Sequence, residues 1–539
     1  MRLAQRAERF LFAWAVRGLR FLLENVVLIL VLCFAALVWN QVFHAAVVDF
    51  TSSDLWRYRG VWIGNGELDI FGYTLEYQLE GYTDYTFYYF HWGHNLLRGV
   101  MPYSPGFGYL ELDGLVNENG AFIFPPLTAF LYAIGIMIPV DGWGIGLLFA
   151  IFGYFTALPV YGIAKQLSGN KRVGEIAAFT YLMNPNVLYH TTFVWLNTAP
   201  FIFFFFSGFY MLTKGKRDAA TLLIVTAALF KQTALFLGIP LVIYLILRTQ
   251  YSSRIIESTT ERAKRFLERT TEFFDIRQFM ISVLIVFVFV GAIMFPFFIA
   301  QPNMLNNLRL AMGGFPLVSL TELPGYGSPM RLQLLAVVVG MPVLAQILDG
   351  LVYYGFLLWF GTALIVGFMF LEPKDGDKKS FYLRRLLLLT MILMLWVHLT
   401  GPRGVYKYYF TLFAPFFSIF SSAQMVTNRG ETVPFSLSML WLPIALSLMI
   451  LLPSRNIYLF SVILILVGYA LADKIGTFWS FVKAPGRYIA KQSSGRLQRA
   501  SFLLKDIKTN LIAIHSGLFA TFDYYLNEEQ NNEHLADDA

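Results

Sequence analysis

Apolar stretches of about twenty residues recur from Val26 to Ala472, divided by short polar breaks. Such a stretch is what a helix needs to cross a hydrocarbon core roughly 30 Å thick. The pattern predicts an all-α polytopic membrane protein with about eleven or twelve spans. Ahead of the first span, Arg2, Arg6, Arg9, Arg17 and Arg20 share one narrow arc of a helix, while Leu11, Trp14 and Phe21 lie on other faces. Residues 1–25 are therefore expected to lie as an amphipathic helix on the cytoplasmic surface. The run Val26–Val47 is too long for a cleavable signal core and has no small-residue cleavage site after it, so it is expected to remain as the first span.

Residues 49–121 form the largest hydrophilic loop, with ten acids against the three bases Arg57, Arg59 and Arg98. The positive-inside rule turns this loop outward, and its many aromatics suit a loop with in-plane helices packed on the membrane surface. The stretch Phe122–Ile138 can be read as a full span or as a re-entrant segment. The re-entrant reading keeps Lys165, Lys171 and Arg172 inside with every later basic loop, and Pro125-Pro126 favours an irregular entry.

Spans are then expected near 143–165, 174–190, 194–213, 279–300, 349–371, 385–400, 405–424, 434–452 and 457–473, with 332–346 a second in-plane candidate. Residues 218–248 are basic at both flanks, so the segment must enter and return on arms too short to cross. Its tip, Phe230-Lys231-Gln232-Thr233, carries a lysine into the membrane, which irregular backbone permits only inside protein or beside a wet cavity. The organisation expected is thus a surface helix (1–25), a transmembrane bundle (26–474) and a cytoplasmic tail (475–539). The tail carries seven bases from Lys483 to Lys508 and six acids from Asp523 to Asp538.

Composition agrees with the pattern: 57% of residues are hydrophobic and only 14% charged, against about 25% charged in a soluble domain. The single cysteine, Cys33, excludes an intrachain disulfide and a thiol-based metal site. A net charge of +7 needs no nucleic-acid partner, because bases gathered on one membrane face produce it. No nucleic-acid motif and no Gly-rich phosphate loop is present. His91 and His94 lack further ligands at suitable spacing, and Glu111 and Asp113 form an acid pair of a commonly occurring kind, so neither metal nor cofactor is expected.

Ionisable groups near a bilayer are costly, roughly 2.5–3.5 kcal/mol each on insertion scales, so those present invite a functional reading. On the outer side these are Asp49 and Asp84 in the first loop, Lys231 at the hairpin tip, and His398, Arg403 and Lys407 at a span boundary. One or two carboxylates facing several cations suit a general base beside an anionic substrate.

From Asp84 the chain reads DYTFYYFHWGHNLLRGVMPY and, after a gap, FIFPPL. Asn184-Pro185, Phe230-Lys231 with Pro240, and RGVYKYYFTLFAP over Arg403–Pro415 follow in order. This set resembles GT-C fold glycosyltransferases, especially the polyprenyl-phosphate-mannose-dependent mannosyltransferase group, across roughly residues 26–420. The resemblance implies inverting transfer of a sugar, mannose favoured, from a polyprenyl-phosphate donor to a glycan, lipid or protein acceptor on the extracytoplasmic face. It makes Asp84 the general base, with Asp49 as the alternative because the group's carboxylate often lies close behind the first span. It gives Lys231, Arg403 and Lys407 the donor phosphate, and Tyr88, His91, Tyr103 and Gln232 contacts to substrate. The group's Gln-Asp pair after the Asn-Pro span is replaced by Asn197-Thr198. A multi-pass protein of the plasma membrane or an endomembrane follows, with both termini cytoplasmic.

A transporter is the main rival. It would show broken helices in corresponding positions of two halves, and only the Lys231 hairpin is broken in this way. An oligosaccharyltransferase would normally add a large outward C-terminal domain, and a polysaccharide ligase would place its large loop late in the chain. Structural readings compete for single residues too: Asp84 could cap a helix over Tyr85–Leu97, Lys231 could snorkel, Arg403 and Lys407 could anchor a span, and His190 and His398 could be packing residues.

Overall fold

The computed structural model describes residues 22–52, 62–70, 73–80, 84–112, 115–118, 122–231, 234–246, 275–313, 332, 336, 340–369, 378–400 and 407–423. Residues 1–21 of the surface helix expected over 1–25, the spans expected after residue 424 and the tail lie outside these residues. The chain divides into two compact units. One comprises Met1–Phe34, Ser436–Ser438 and Gly468–Ala539, of which 22–34 are described. The other comprises Ala35–Phe435 and Met439–Val467 and holds every element below apart from the start of the first helix.

Helix α1 covers Val26–Ser52, five residues beyond the expected end of the first span. The outer loop then holds hairpin β1 (Trp62–Ile70) and β2 (Tyr73–Glu80), paired antiparallel from Ile70↔Tyr73 to Trp62↔Glu80. A π-helical turn, Tyr85–Tyr89, runs into α2 (Phe90–Leu97). A second hairpin pairs β3 (Tyr109–Leu112) with β4 (Leu115–Glu118). The helical bundle was legible in the sequence; the two hairpins were not.

Helix α3 (Pro126–Met137) begins with Pro126, whose missing N–H costs nothing at a first turn. Twelve residues at 1.5 Å make about 18 Å, short of a crossing. Helices α4 (Gly144–Phe155) and α5 (Ala157–Ser168) continue through Thr156 as a 25-residue span, and α5 ends at Gly169, whose φ of 68° suits glycine. Helix α6 (Lys171–Leu182) stops eight residues before the expected 190. Pro185 cannot donate to the helix, and the Asn184 side chain accepts from the N–H groups of Asn186 and Val187, starting a new turn. That turn passes into a π-helical stretch, Leu188–Phe193, before α7 (Ala199–Thr213).

Helices α8 (Arg217–Phe230) and α9 (Ala234–Ile246) are the two short arms. Arg217, at the start of α8, lies 5.4 Å over the Tyr244 ring near the end of α9, so the chain returns to the side it left and Lys231 stands at the turn. The base is tied to α10 (Ile276–Ala300) by Arg217–Asp275 at 2.9 Å and by the Gln278 amide donating to Asp218 at 2.6 Å. Phe287 is 76% and Ile299 65% exposed on α10, as suits a helix facing lipid. Helices α11 (Met304–Gly313), α12 (Pro342–Tyr353) and α13 (Phe356–Met369) follow, and α12 and α13 bend by 75° where one span was expected at 349–371. Then come α14 (Lys378–Thr400), a 3-10 turn at Lys407–Tyr409, and α15 (Phe410–Ala423). Among the described residues three helices are long and apolar enough to cross a membrane, or four if the bent pair is one span.

Candidate active site

Aromatic packing builds the end of the bundle that carries the 49–121 loop. The Phe50 ring, in the last turns of α1, meets Tyr85 at 5.7 Å and Trp195 at 5.1 Å. Trp195 is fully buried and its ring lies against Gly146, where a Cβ would come within 2.4 Å. Its indole donates to the Thr192 carbonyl at 2.8 Å. The Tyr85 hydroxyl donates to the Gly142 carbonyl at 2.7 Å. Trp195 holds φ at 57° and Tyr103 at 71°, left-handed conformations that non-glycine residues keep only where packing enforces them.

This corner brings the two candidate carboxylates to neighbouring elements. Asp49 precedes Phe50 and is exposed; Asp84 precedes Tyr85 and is partly buried. Asp84 does not cap its helix through its side chain, so the capping reading fails. The Tyr89 hydroxyl donates to Asp84 Oδ2 at 3.4 Å, and the Tyr89 ring stacks on Tyr132 at 4.8 Å. The Tyr132 hydroxyl accepts from the Asn197 amide at 3.1 Å. Next in the chain, Thr198 shares a 3.0 Å hydrogen bond with Thr411, whose hydroxyl is also 2.7 Å from the Tyr408 carbonyl. Hydrogen bonds, one ring stack and one chain link thus lead from Asp84 to the start of α15.

Lys231 lies at the other end of that run. It is buried, with its ammonium 4.9 Å from the Tyr409 centroid, 5.6 Å from Tyr408 and 5.5 Å from Phe201. Three ring faces around one cation stabilise charge that burial would otherwise penalise. The preceding carbonyl, of Phe230, accepts from the Thr128 hydroxyl at 2.5 Å, which binds α3 to the hairpin turn. His398 packs its ring at 5.0 Å on Tyr409, with Nδ1 2.7 Å from the Met394 carbonyl. His190 holds Nδ1 2.6 Å from Asn186 Oδ1 and faces Tyr408 at 6.4 Å.

Tyr88 is partly buried, its ring tilted against Trp92 at 5.2 Å; burial first, and the Asp84 charge second, push its hydroxyl pKa up. His91 lies in the same helix; burial, then neighbouring His94, lowers its pKa to about 4. Tyr103 is buried and its hydroxyl donates to the Phe124 carbonyl at 2.8 Å, so that group serves the fold. Gln232 and Arg403 lie outside the described residues. Lys407 begins the 3-10 turn beside Tyr408 and Tyr409, and its side chain is likewise outside the description.

The sequence assigns no role to Tyr89, Tyr132, Tyr408 or Tyr409 and leaves His398 between a functional and a packing reading. The signal available was polar density in an apolar region: NPNVLYHTTFVWLNT over 184–198 holds seven Asn, Thr and His residues.

The half-length hairpin with a cation at its tip lies in the part of the chain that is similar to a family of glycosyltransferases. Residues 124–260, from α3 past the Lys231 hairpin, match the family model of dolichyl-phosphate-mannose-protein mannosyltransferase. No curated protein matches the chain. Among solved structures, ArnT from Cupriavidus metallidurans bound to undecaprenyl phosphate is similar at 12% identity and TM-score 0.41, over 86% of this chain and 76% of that one. The oligosaccharyltransferase of Archaeoglobus fulgidus is similar at 14% identity and TM-score 0.34, over 79% of this chain and 55% of that one.

Proposed function

We propose that the chain moves a sugar, mannose favoured, from a polyprenyl-phosphate donor to an acceptor hydroxyl on the extracytoplasmic face, with inversion. The observation that carries this reading is the ammonium of Lys231 buried among three rings and linked to the carboxylate of Asp84 through Tyr408, Thr411, Thr198, Asn197, Tyr132 and Tyr89 by hydrogen bonds, ring contacts and one chain link. Asp84 accepts the acceptor's proton as its oxygen attacks the anomeric carbon. The bond from that carbon to the phosphate oxygen breaks, and the phosphate keeps the electron pair. Lys231, with Arg403 and Lys407, stabilises the charge that grows on the departing lipid phosphate, and fixed cations in a partly dry site do so strongly. Asp49, whose neighbour Phe50 packs on Asp84's neighbour Tyr85, is the alternative base.

The donor's lipid also has a place in this reading. An apolar pocket of about 720 Å³ lies along the same hairpin, between α8, α9 and α10, and is also lined by Met304 and Leu305 of α11. Its lining includes Ile224, Leu241, Val286 and Phe298. An isoprenoid chain placed there loses no hydrogen bonds, whereas water would.

The test is incubation of the purified protein with a panel of polyprenyl-phosphate sugars and an acceptor mixture, following donor consumption by mass. Mannosyl donor is expected to be consumed by the native protein and not by Asp84→Asn. Failure to consume any lipid-phosphate sugar would overturn the reading; preference for another sugar would change only the donor.

A further inference from the structure

A second charged cluster lies at the opposite end of α7 from Lys231. From Phe201, under Lys231, to Lys214 at the helix end is about 20 Å at 1.5 Å per residue. Here α5 ends, α6 begins and α7 ends. Lys165 lays its ammonium 5.6 Å from the Tyr161 ring, and Lys214 lies 5.6 Å from the Tyr210 ring. The rings are seated in glycine hollows: a Cβ on Gly162 would come within 2.3 Å of Tyr210, and one on Gly174 within 2.8 Å of Tyr161. The packed tyrosines hold the two lysine heads over one surface.

Lys171 and Arg172 add two more cations in the first turn of α6, with no acid in that turn. Cations there oppose the positive end of the helix dipole, an unfavourable placement that an external anion relieves. Among the described residues the cluster's one carboxylate is Glu175, which is buried and 3.8 Å from Lys171. Arg217 is turned away to Asp275. The Tyr161 hydroxyl is buried with no hydrogen-bond partner.

We propose that this cluster is a headgroup site for an anionic phospholipid. The site is built at a membrane surface, where tyrosines and lysine stems sit among headgroups. Four cations answered by one buried carboxylate leave an excess of positive charge, and a phosphodiester supplies the missing anion without leaving the bilayer. The assignment does not rest on the glycosyltransfer reading.

The experiment places the full chain in nanodiscs of equal parts phosphatidylglycerol and phosphatidylcholine and counts retained lipids by native mass spectrometry. The native protein is expected to retain phosphatidylglycerol over phosphatidylcholine by at least about fivefold. Replacing Lys165, Arg172 and Lys214 together by Gln removes the preference, and Lys165→Arg with Lys214→Arg keeps it. Glu175→Gln strengthens it, because the competing carboxylate is gone. Equal retention of both lipids by the native protein overturns the proposal, as does an unchanged preference in the triple variant. If the triple variant fails to insert, Glu175→Gln decides, and an unchanged or weakened preference counts against the site. Displacement of the lipid by millimolar glycerol 3-phosphate would make it a site for soluble phosphates and overturn the assignment.

Discussion

The Lys231 ammonium stands 4.9 Å from the centre of the Tyr409 ring, joining the turn of a half-length hairpin to the 3-10 turn that leads into α15. The contact explains how a lysine persists in an otherwise apolar region. The ring faces compensate part of its lost hydration, by about 2 kcal/mol or more when the pair is desolvated. It also fixes where the cation stands.

Removing that cation separates donor from acceptor. Lys231→Ala is expected to raise the donor KM by about tenfold or more and leave the acceptor KM nearly unchanged. Tyr409→Leu should move the donor KM in the same direction by less. Equal loss toward both substrates in steady-state kinetics would make Lys231 a structural residue.

Asp84→Asn keeps the shape of the side chain and removes its basicity. Turnover should fall by about a hundredfold or more, with insertion and melting temperature unchanged. Asp49→Asn, at an exposed position on α1, should retain most activity. If the two variants exchange these outcomes, the base is Asp49.

The seat of Trp195 on Gly146 predicts a stability effect without chemistry. A Cβ at Gly146 would lie 2.4 Å from the indole, so Gly146→Ala should cost about 1–3 kcal/mol by overpacking. Thermal unfolding of the detergent-solubilised protein checks this, and a melting temperature equal to the native one would mean the corner repacks freely.

The outer loop should weaken in acid. Burial lowers the folded-state pKa of His91 from its ordinary 6.5 to about 4 and lowers that of His94 as well. Between about pH 6.5 and 4 the unfolded loop therefore binds more protons than the folded loop, and stability falls as pH falls through that window. It is fully present above the ordinary histidine range. Limited proteolysis of the loop from pH 7.5 to 4.5 should accelerate toward the acid end, and His91→Gln should flatten the profile.

Much of this architecture follows from one-dimensional pattern. Twenty-residue apolar runs have few options in a bilayer, since every backbone group must be satisfied within its own helix. The Lys231 hairpin was readable for a related reason: basic flanks at 214–217 and after 248 leave short arms that must return, and Arg217 over Tyr244 closes that return. The break at Asn184-Pro185 was visible as a motif, but its consequence was not, because the π-helical stretch after it depends on neighbours that accept its irregular backbone. The β-hairpins of the outer loop escaped notice since aromatic residues there suit strand and interfacial helix equally.

Order along the chain thus settled that this protein lives in a membrane, which loop is acidic and aromatic, and that a lysine must sit at a turn inside the apolar zone. All of these are consequences of transfer free energy, which adds residue by residue. Three-dimensional packing decided that Tyr89, Tyr132, Asn197 and Thr411 lie between Asp84 and that lysine, and that Tyr408, Tyr409 and Phe201 surround its charge. Those contacts join residues up to 213 positions apart. No local preference encodes them; they exist only once close-packed helices leave a single arrangement for their side chains.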